Sequence, residues 1–195
     1  MIVAGLTGGI ATGKSLVASM LRDEGIPVFD ADQTARDIVQ PGKPAWEDVV
    51  KAFGEGVLAA DRTLDRAKLG AIVFSDAAKR KTLEAITHPR IREAIAQNVI
   101  DVATKGGDLA IVDAALMIET GWSKDFFGVI VVDVPEAVQL SRLEARDKVS
   151  EADARKRIAA QMPLAEKRSH ATWVIDNAGT PDETRRQVKA LAATL

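Results

Sequence analysis

Gly8-Gly9-Ile10-Ala11-Thr12-Gly13-Lys14-Ser15 constrains this chain more than any other stretch. It matches glycine, four residues of any kind, glycine, lysine and serine, the pattern of a loop that wraps phosphate. Its flanks agree with that reading. Ile2-Val3-Ala4-Gly5-Leu6 is a short apolar run suited to a buried strand, and Ser15 to Leu21 carries apolar residues at helical spacing. Gly8 and Gly13 permit backbone angles and close approaches that a Cβ would block. The turn then aims successive N–H groups at one point, and the following helix adds its positive N-terminal end. Lys14 reaches the outer phosphates, and Ser15 offers a hydroxyl to Mg²⁺. The pattern implies a nucleoside triphosphate ligand, with Gly9, Ala11, Thr12 and Leu16 completing the cradle.

The bulk properties narrow the class. With 195 residues, the chain suits one domain or one core with small insertions. A net charge of −2 gives no basic footprint, so nucleic acid is not an expected partner. The absence of cysteine excludes disulfides, thiol nucleophiles and thiolate metal sites, and fits a reducing cytoplasm. The apolar start runs straight into the glycine loop and reads as a strand, not a signal peptide. No apolar run approaches the ~20 residues that span a bilayer, so no membrane association is expected. A monomer or weak oligomer acting on small molecules is the expectation.

Gly25 ends the first helix, and Ile26-Pro27-Val28-Phe29 reads as a second strand followed at once by Asp30-Ala31-Asp32. In parallel α/β sheets ligands lie beyond the carboxyl ends of strands. Asp30 and Asp32 therefore have two readings, as chemical groups at that edge or as caps of a helix over 31–39. Gln40 to Pro44 is a breaker, and residues 46–100 read as helices without a strand signal. Asp61 or Thr63 would cap a helix over 64–74, Ser75 or Asp76 the next, and Thr87-His88-Pro89 would interrupt that next helix. His88, one of two histidines, is read equally as a helix-end imidazole or a substrate contact.

Leu109 to Asp113 forms a third strand, whose terminal acid is placed as a Walker-B aspartate holds Mg²⁺. Glu119 follows near the same edge, either as a functional acid or as a solvated helix residue. Val129 to Val134 is the most apolar strand and fits the middle of a parallel sheet. Pro135 opens a helix carrying Arg142 and Arg146 on one face, and Ser150 with Asp153 starts another. Such a charged helix pair is commonly a solvated face. Phosphoryl transfer also needs cations over the γ-phosphate, and a helical lid bearing Arg142 and Arg146 would supply them. Trp173 to Ile175 is a last strand, and Pro181 opens a final helix through Leu191. Five strands alternating with helices predict a doubly wound, five-stranded parallel sheet.

Several of these segments, in this order, resemble the dephospho-CoA kinase family over nearly the full length. They are Leu6 to Ser15, Asp30-Ala31-Asp32 with Ala35-Arg36, His88-Pro89-Arg90-Ile91 and Leu116-Met117-Ile118-Glu119. Further on come Arg142 to Asp147, Arg157-Ile158 with Gln161, Glu166-Lys167 and Val174 to Gly179. The resemblance implies a P-loop kinase-like fold with a core (1–40, 105–140, 170–195), a helical CoA-binding lobe (about 41–104) and a lid (about 141–169). It implies ATP- and Mg²⁺-dependent phosphorylation of the 3′-hydroxyl of dephospho-CoA, with Asp32 as catalytic base. It places Arg36, His88 and Glu119 in the acceptor region and Asn177 near the adenine. Another small-molecule kinase of this fold, or a nucleotide-controlled switch, are the alternatives; the guanine-reading Asn-Lys-x-Asp motif of GTPases does not occur. Three positions depart from the family pattern. Ala11 stands for a usual glycine, which negative φ would accommodate; Leu16 stands for a common threonine; and Ala115 stands for a usual proline, which would loosen the turn after the third strand.

Overall fold

The computed structural model describes residues 1–195. β1 (Ile2–Gly8) pairs in parallel with β3 (Leu109–Asp113) on one side and β4 (Val129–Asp133) on the other. β2 (Val28–Asp30) lies outside β3 and β5 (Trp173–Asp176) outside β4, giving the all-parallel order β2-β3-β1-β4-β5. The expected doubly wound sheet is present. Its middle strands are buried on both faces, which is why Ile111, Val112, Ile130, Val131 and Val132 read as unbroken apolar runs. β1 is the strand from which the order departs in opposite directions, so the crevice for a ligand opens at its carboxyl end.

Two compact units make up the chain, Met1–Asp30 with Val99–Leu195, and Ala31–Asn98. In the first, α1 (Lys14–Asp23) and α9 (Pro181–Ala192) share one core with the sheet. Val17, Met20 and Leu21 of α1 and Val188 and Leu191 of α9 bury with Leu6, Ile111, Ile130 and Ile175. Each such side chain contributes about 1.5–3 kcal/mol, so the strand–loop–helix unit is held from its apolar faces. α6 (Glu136–Asp147), α7 (Glu151–Ala159) and α8 (Leu164–Ser169) lie between β4 and β5 in the chain. Ser150 caps α7 through the Asp153 N–H, as the sequence suggests. Thr180 and Glu183 form a reciprocal capping box on α9. Thr180→Ala should lower stability by about 1 kcal/mol, the usual cost of a lost cap, read as a lower urea midpoint with unchanged slope. An unchanged midpoint would show that α9 is fixed by its buried face alone.

The second unit holds α2 (Ala31–Asp37), α3 (Pro44–Phe53), α4 (Arg66–Ser75) and most of α5 (Ala77–Thr104). Val49, Val57 and Leu69 form its small core, with Phe53, Leu64, Ile72, Leu83 and Ile86 against them. Three local expectations are corrected by this arrangement. The cap of α4 is Asp65, whose side chain accepts from Ala67 and Lys68; Asp61 instead folds a turn onto Thr63. Thr87-His88-Pro89 does not interrupt α5, which runs through Pro89. The Thr87 hydroxyl and the Arg90 guanidinium bond back to the Leu83 and Ile86 carbonyls, and Ile91 and Ile95 are buried one to two turns on. Burial of that continuous face outweighs the roughly 3 kcal/mol that an internal proline costs. The second strand begins at Val28 and not Ile26; Pro27 lends only its carbonyl, to the Ile111 N–H, because proline has no N–H to return. No helix is long and apolar enough to cross a membrane.

Candidate active site

The loop between β1 and α1 is built from two left-handed residues. Gly13 has φ 85° and Ala11 has φ 60°. The negative φ that would accommodate alanine without cost is not what Ala11 adopts, and the residue sits where a Cβ costs about 1–2 kcal/mol. What makes up for this is a set of side chains bonded to the loop backbone. Gln161 Oε1 accepts from the Ile10 N–H at 2.7 Å, and Gln139 Nε2 donates to the Ile10 carbonyl at 2.9 Å. Asn177 Nδ2 donates to the Thr12 carbonyl at 2.7 Å, and the Thr12 hydroxyl donates to the Gly9 carbonyl at 2.9 Å. Lys14 and Ser15 open α1, so their N–H groups are among those a helix cannot bond internally. Loop and helix start together form a concave set of donors suited to an anion.

Four of the five strands end in aspartate, at Asp30, Asp113, Asp133 and Asp176. Register places Asp30 beside Asp113 and Asp133 beside Asp176. Asp113 is 3% exposed and its Oδ1 takes the Lys14 ammonium, while Asp133 takes Arg168 at 2.8 Å. Ser15 is exposed next to Lys14, as is Leu16, a further sequence candidate. Arg142 reaches the loop from α6: its Nη2 donates to the Asn177 carbonyl at 2.8 Å, and a Cβ on Gly13 would lie 3.8 Å from its Nη1. The loop, Lys14, Ser15, Asp113, Arg142 and Asn177 are thus brought together in the first unit. The Asn177 side chain is committed to Thr12 and to the Thr184 hydroxyl, so its part at the site is played through the loop. A cavity of about 900 Å³ borders Gly9, with Asp133, Gln139, Arg155, Gln161 and Arg168 in its walls.

Arg146 is placed differently from Arg142. It is bound to its neighbour Asp147, which also takes Arg157. The hydrogen bond from Arg146 holds the Asp147 carboxyl below the usual carboxylate range, with the charges of Arg146 and Arg157 adding to it. The same bond raises the Arg146 guanidinium above its ordinary value. Glu119 accepts from Lys167 at 2.7 Å and from the Met162 N–H at 3.4 Å, so it anchors the turn between α7 and α8. Lys167 also donates to the Ala115 carbonyl, which receives the Thr7 hydroxyl as well. The turn at Ala115 is pinned by these two donors, and proline is not needed to stiffen it.

The remaining candidates belong to the second unit. Asp32 lies in the first turn of α2, two residues beyond the end of β2, and is exposed. Asp30, which belongs to the first unit, directly precedes that helix in the chain. Arg36 is one turn on from Asp32 and also exposed. His88 is half-buried on α5 beside Pro89.

A profile of the dephospho-CoA kinase family matches residues 1–183. The chain belongs to that family. A dephospho-CoA kinase of Shouchella clausii is 49% identical over 191 residues, 97% of each chain. Among solved structures, a protein of Thermus thermophilus aligns with a TM-score of 0.87 at 34% identity, covering 100% of this chain and 97% of that one. The dephospho-CoA kinase from Campylobacter jejuni aligns with a TM-score of 0.72 at 28% identity, covering 98% and 95%. The chain is a kinase of the P-loop fold, and ATP is the donor that such a kinase uses. Sequence reasoning gave no role to Gln139, Gln161 and Lys167 of this kinase. Gln139 carried a signal, a polar residue one turn before the buried Leu143 on the same helix face. Gln161 and Lys167 figured only within segments that resemble the family, and Lys167 otherwise carried only its spacing of three from Leu164.

Proposed function

We propose that this kinase transfers the γ-phosphoryl group of ATP to the 3′-hydroxyl of dephospho-CoA, giving coenzyme A and ADP. The family match over residues 1–183 supports this, together with a donor cradle in which Lys14, Asp113 and Arg142 converge on the loop. Lys14 and the loop amides bind the β- and γ-phosphates. Arg142, already beside Gly13, stabilises charge on the transferring group, and Arg146 adds to it on exchanging its hold on Asp147. Asp32 orients the 3′-hydroxyl and accepts its proton; Arg36 and His88 hold the acceptor. The 3′-oxygen bonds to the γ-phosphorus as the bond to the β–γ bridging oxygen breaks, and ADP leaves.

No three His, Cys, Asp or Glu side chains cluster to hold a metal by themselves. The exposed Ser15 hydroxyl and the Asp113 carboxylate instead fit Mg²⁺, which takes one or two protein oxygens and completes its shell with phosphate and water. Bound there, Mg²⁺ would neutralise charge on the phosphates. A cytoplasmic site of action fits the cysteine-free sequence. Purified protein with Mg·ATP should convert dephospho-CoA to a product heavier by one phosphoryl group, about 80 Da, by mass spectrometry. Folded protein that binds ATP and gives no such product would overturn the choice of acceptor.

A further inference from the structure

The phosphate motif asks for glycine at positions 8 and 13 of this loop, yet it does not explain Gly9, nor how Ala11 holds φ 60°. Both are explained by two glutamines that arrive from different elements. Gln139 is on α6 and 3% exposed; Gln161 is half-buried in the turn between α7 and α8. A Cβ on Gly9 would come 2.6 Å from Gln139 Nε2, so glycine there makes room for that carboxamide. The two side chains bond opposite sides of one residue, Gln161 the Ile10 N–H and Gln139 the Ile10 carbonyl. The Ile10 carbonyl belongs to the peptide whose orientation sets φ of Ala11. Fixing that oxygen fixes the torsion that an unrestrained alanine would leave for the right-handed region. Asn177 holds the Thr12 carbonyl, two residues on from Ile10, so Ala11 is gripped before and after.

We propose that Gln139 and Gln161 are positioning residues that hold Ala11 left-handed and so shape the anion cradle. They do for this chain what backbone freedom would do with glycine at position 11. The idea rests on the kinase reading only for the ligand, ATP, and not for the acceptor. Because Gln161 sits in the turn where Glu119 holds the Met162 N–H, the geometry of the loop is tied to the base of the α7–α8 pair.

The test is ATP affinity by titration calorimetry, without acceptor, in four proteins: the natural chain, Gln161→Met, Ala11→Gly, and the two together. Gln161→Met keeps length and volume and replaces the carboxamide oxygen by a thioether sulfur, a weak acceptor. It should weaken ATP about tenfold, equivalent to about 1.4 kcal/mol. The double variant should bind within about threefold of Ala11→Gly, because glycine needs no clamp to reach φ 60°. Gln139→Met, which removes the hold on the carbonyl, should behave in the same way. A full tenfold loss in both backgrounds would overturn the proposal, since a general packing role is blind to residue 11. So would the absence of loss in Gln161→Met or in Gln139→Met. Failure to phosphorylate dephospho-CoA with this cycle intact would concern the acceptor alone.

Discussion

Asp32→Asn should lower turnover by about 10²–10⁴, the range for a lost general base, with the affinities for ATP and for dephospho-CoA little changed. The substitution keeps the shape and reach of the side chain, removes its negative charge and its capacity to take a proton, and turns one acceptor oxygen into an NH₂ donor. Asp32 is an exposed acid in the first turn of α2, the helix that follows β2 directly in the chain. A first-turn acid is favourable to the helix dipole in its own right, so the variant also has a structural cost, and the two must be separated. Loss of the dipole contribution acts on stability. Loss of the base acts on kcat and leaves the KM values nearly fixed, because the interaction is made in the transition state. Unchanged turnover would assign Asp32 to orientation, which is chemically reasonable because phosphoryl transfer leans on electrostatics more than on proton removal.

The sequence made the donor half of the site legible because its signals are local. Strand, loop and helix are encoded in consecutive residues, and β3, β4 and β5 start where their apolar runs start. Asp113 could be read as a strand-end acid because its neighbours in the chain form the strand. What supports the loop could not be read in that way. Gln139, Gln161 and Asn177 lie about 130 to 165 residues from the backbone atoms they bond, and only folding brings them there. The same distance in the chain hid the true conformation of Ala11. Judged by local preference an alanine avoids positive φ, and three carboxamides overrule the preference. Pro89 shows the converse case. Its local signal to break a helix is strong, and burial of Ile91 and Ile95 over one continuous α5 is stronger. Asp61 and Asp65 differ by a single turn of chain, a separation that cap statistics do not resolve.

Lys167→Met should cost about 2–3 kcal/mol of stability, below the 3–5 kcal/mol typical of breaking a buried pair from one side. The Lys167 side chain is fully buried, and its ammonium is held by Glu119 at 2.7 Å and by the Ala115 carbonyl at 2.8 Å. Methionine fills a similar volume, so the loss measures charge and hydrogen bonds and not a cavity. Glu119 is left without its cation, and Ala115 with only the Thr7 hydroxyl as donor. The discount from the full penalty follows from the Glu119 side chain being 22% exposed, since water can take over part of its solvation. For a chain of this length the loss corresponds to a fall in Tm of roughly 5–10 °C. Glu119→Gln combined with Lys167→Met should recover part of it, because the amide keeps an acceptor for the Met162 N–H and leaves no unpaired charge. The recovery separates an ion pair from simple packing, which the neutral amide would not restore. An unchanged Tm in Lys167→Met would mean that desolvation of the ammonium offsets its attraction in full. Lys167 would then fix the position of the α7–α8 turn, and with it Gln161, without adding to stability.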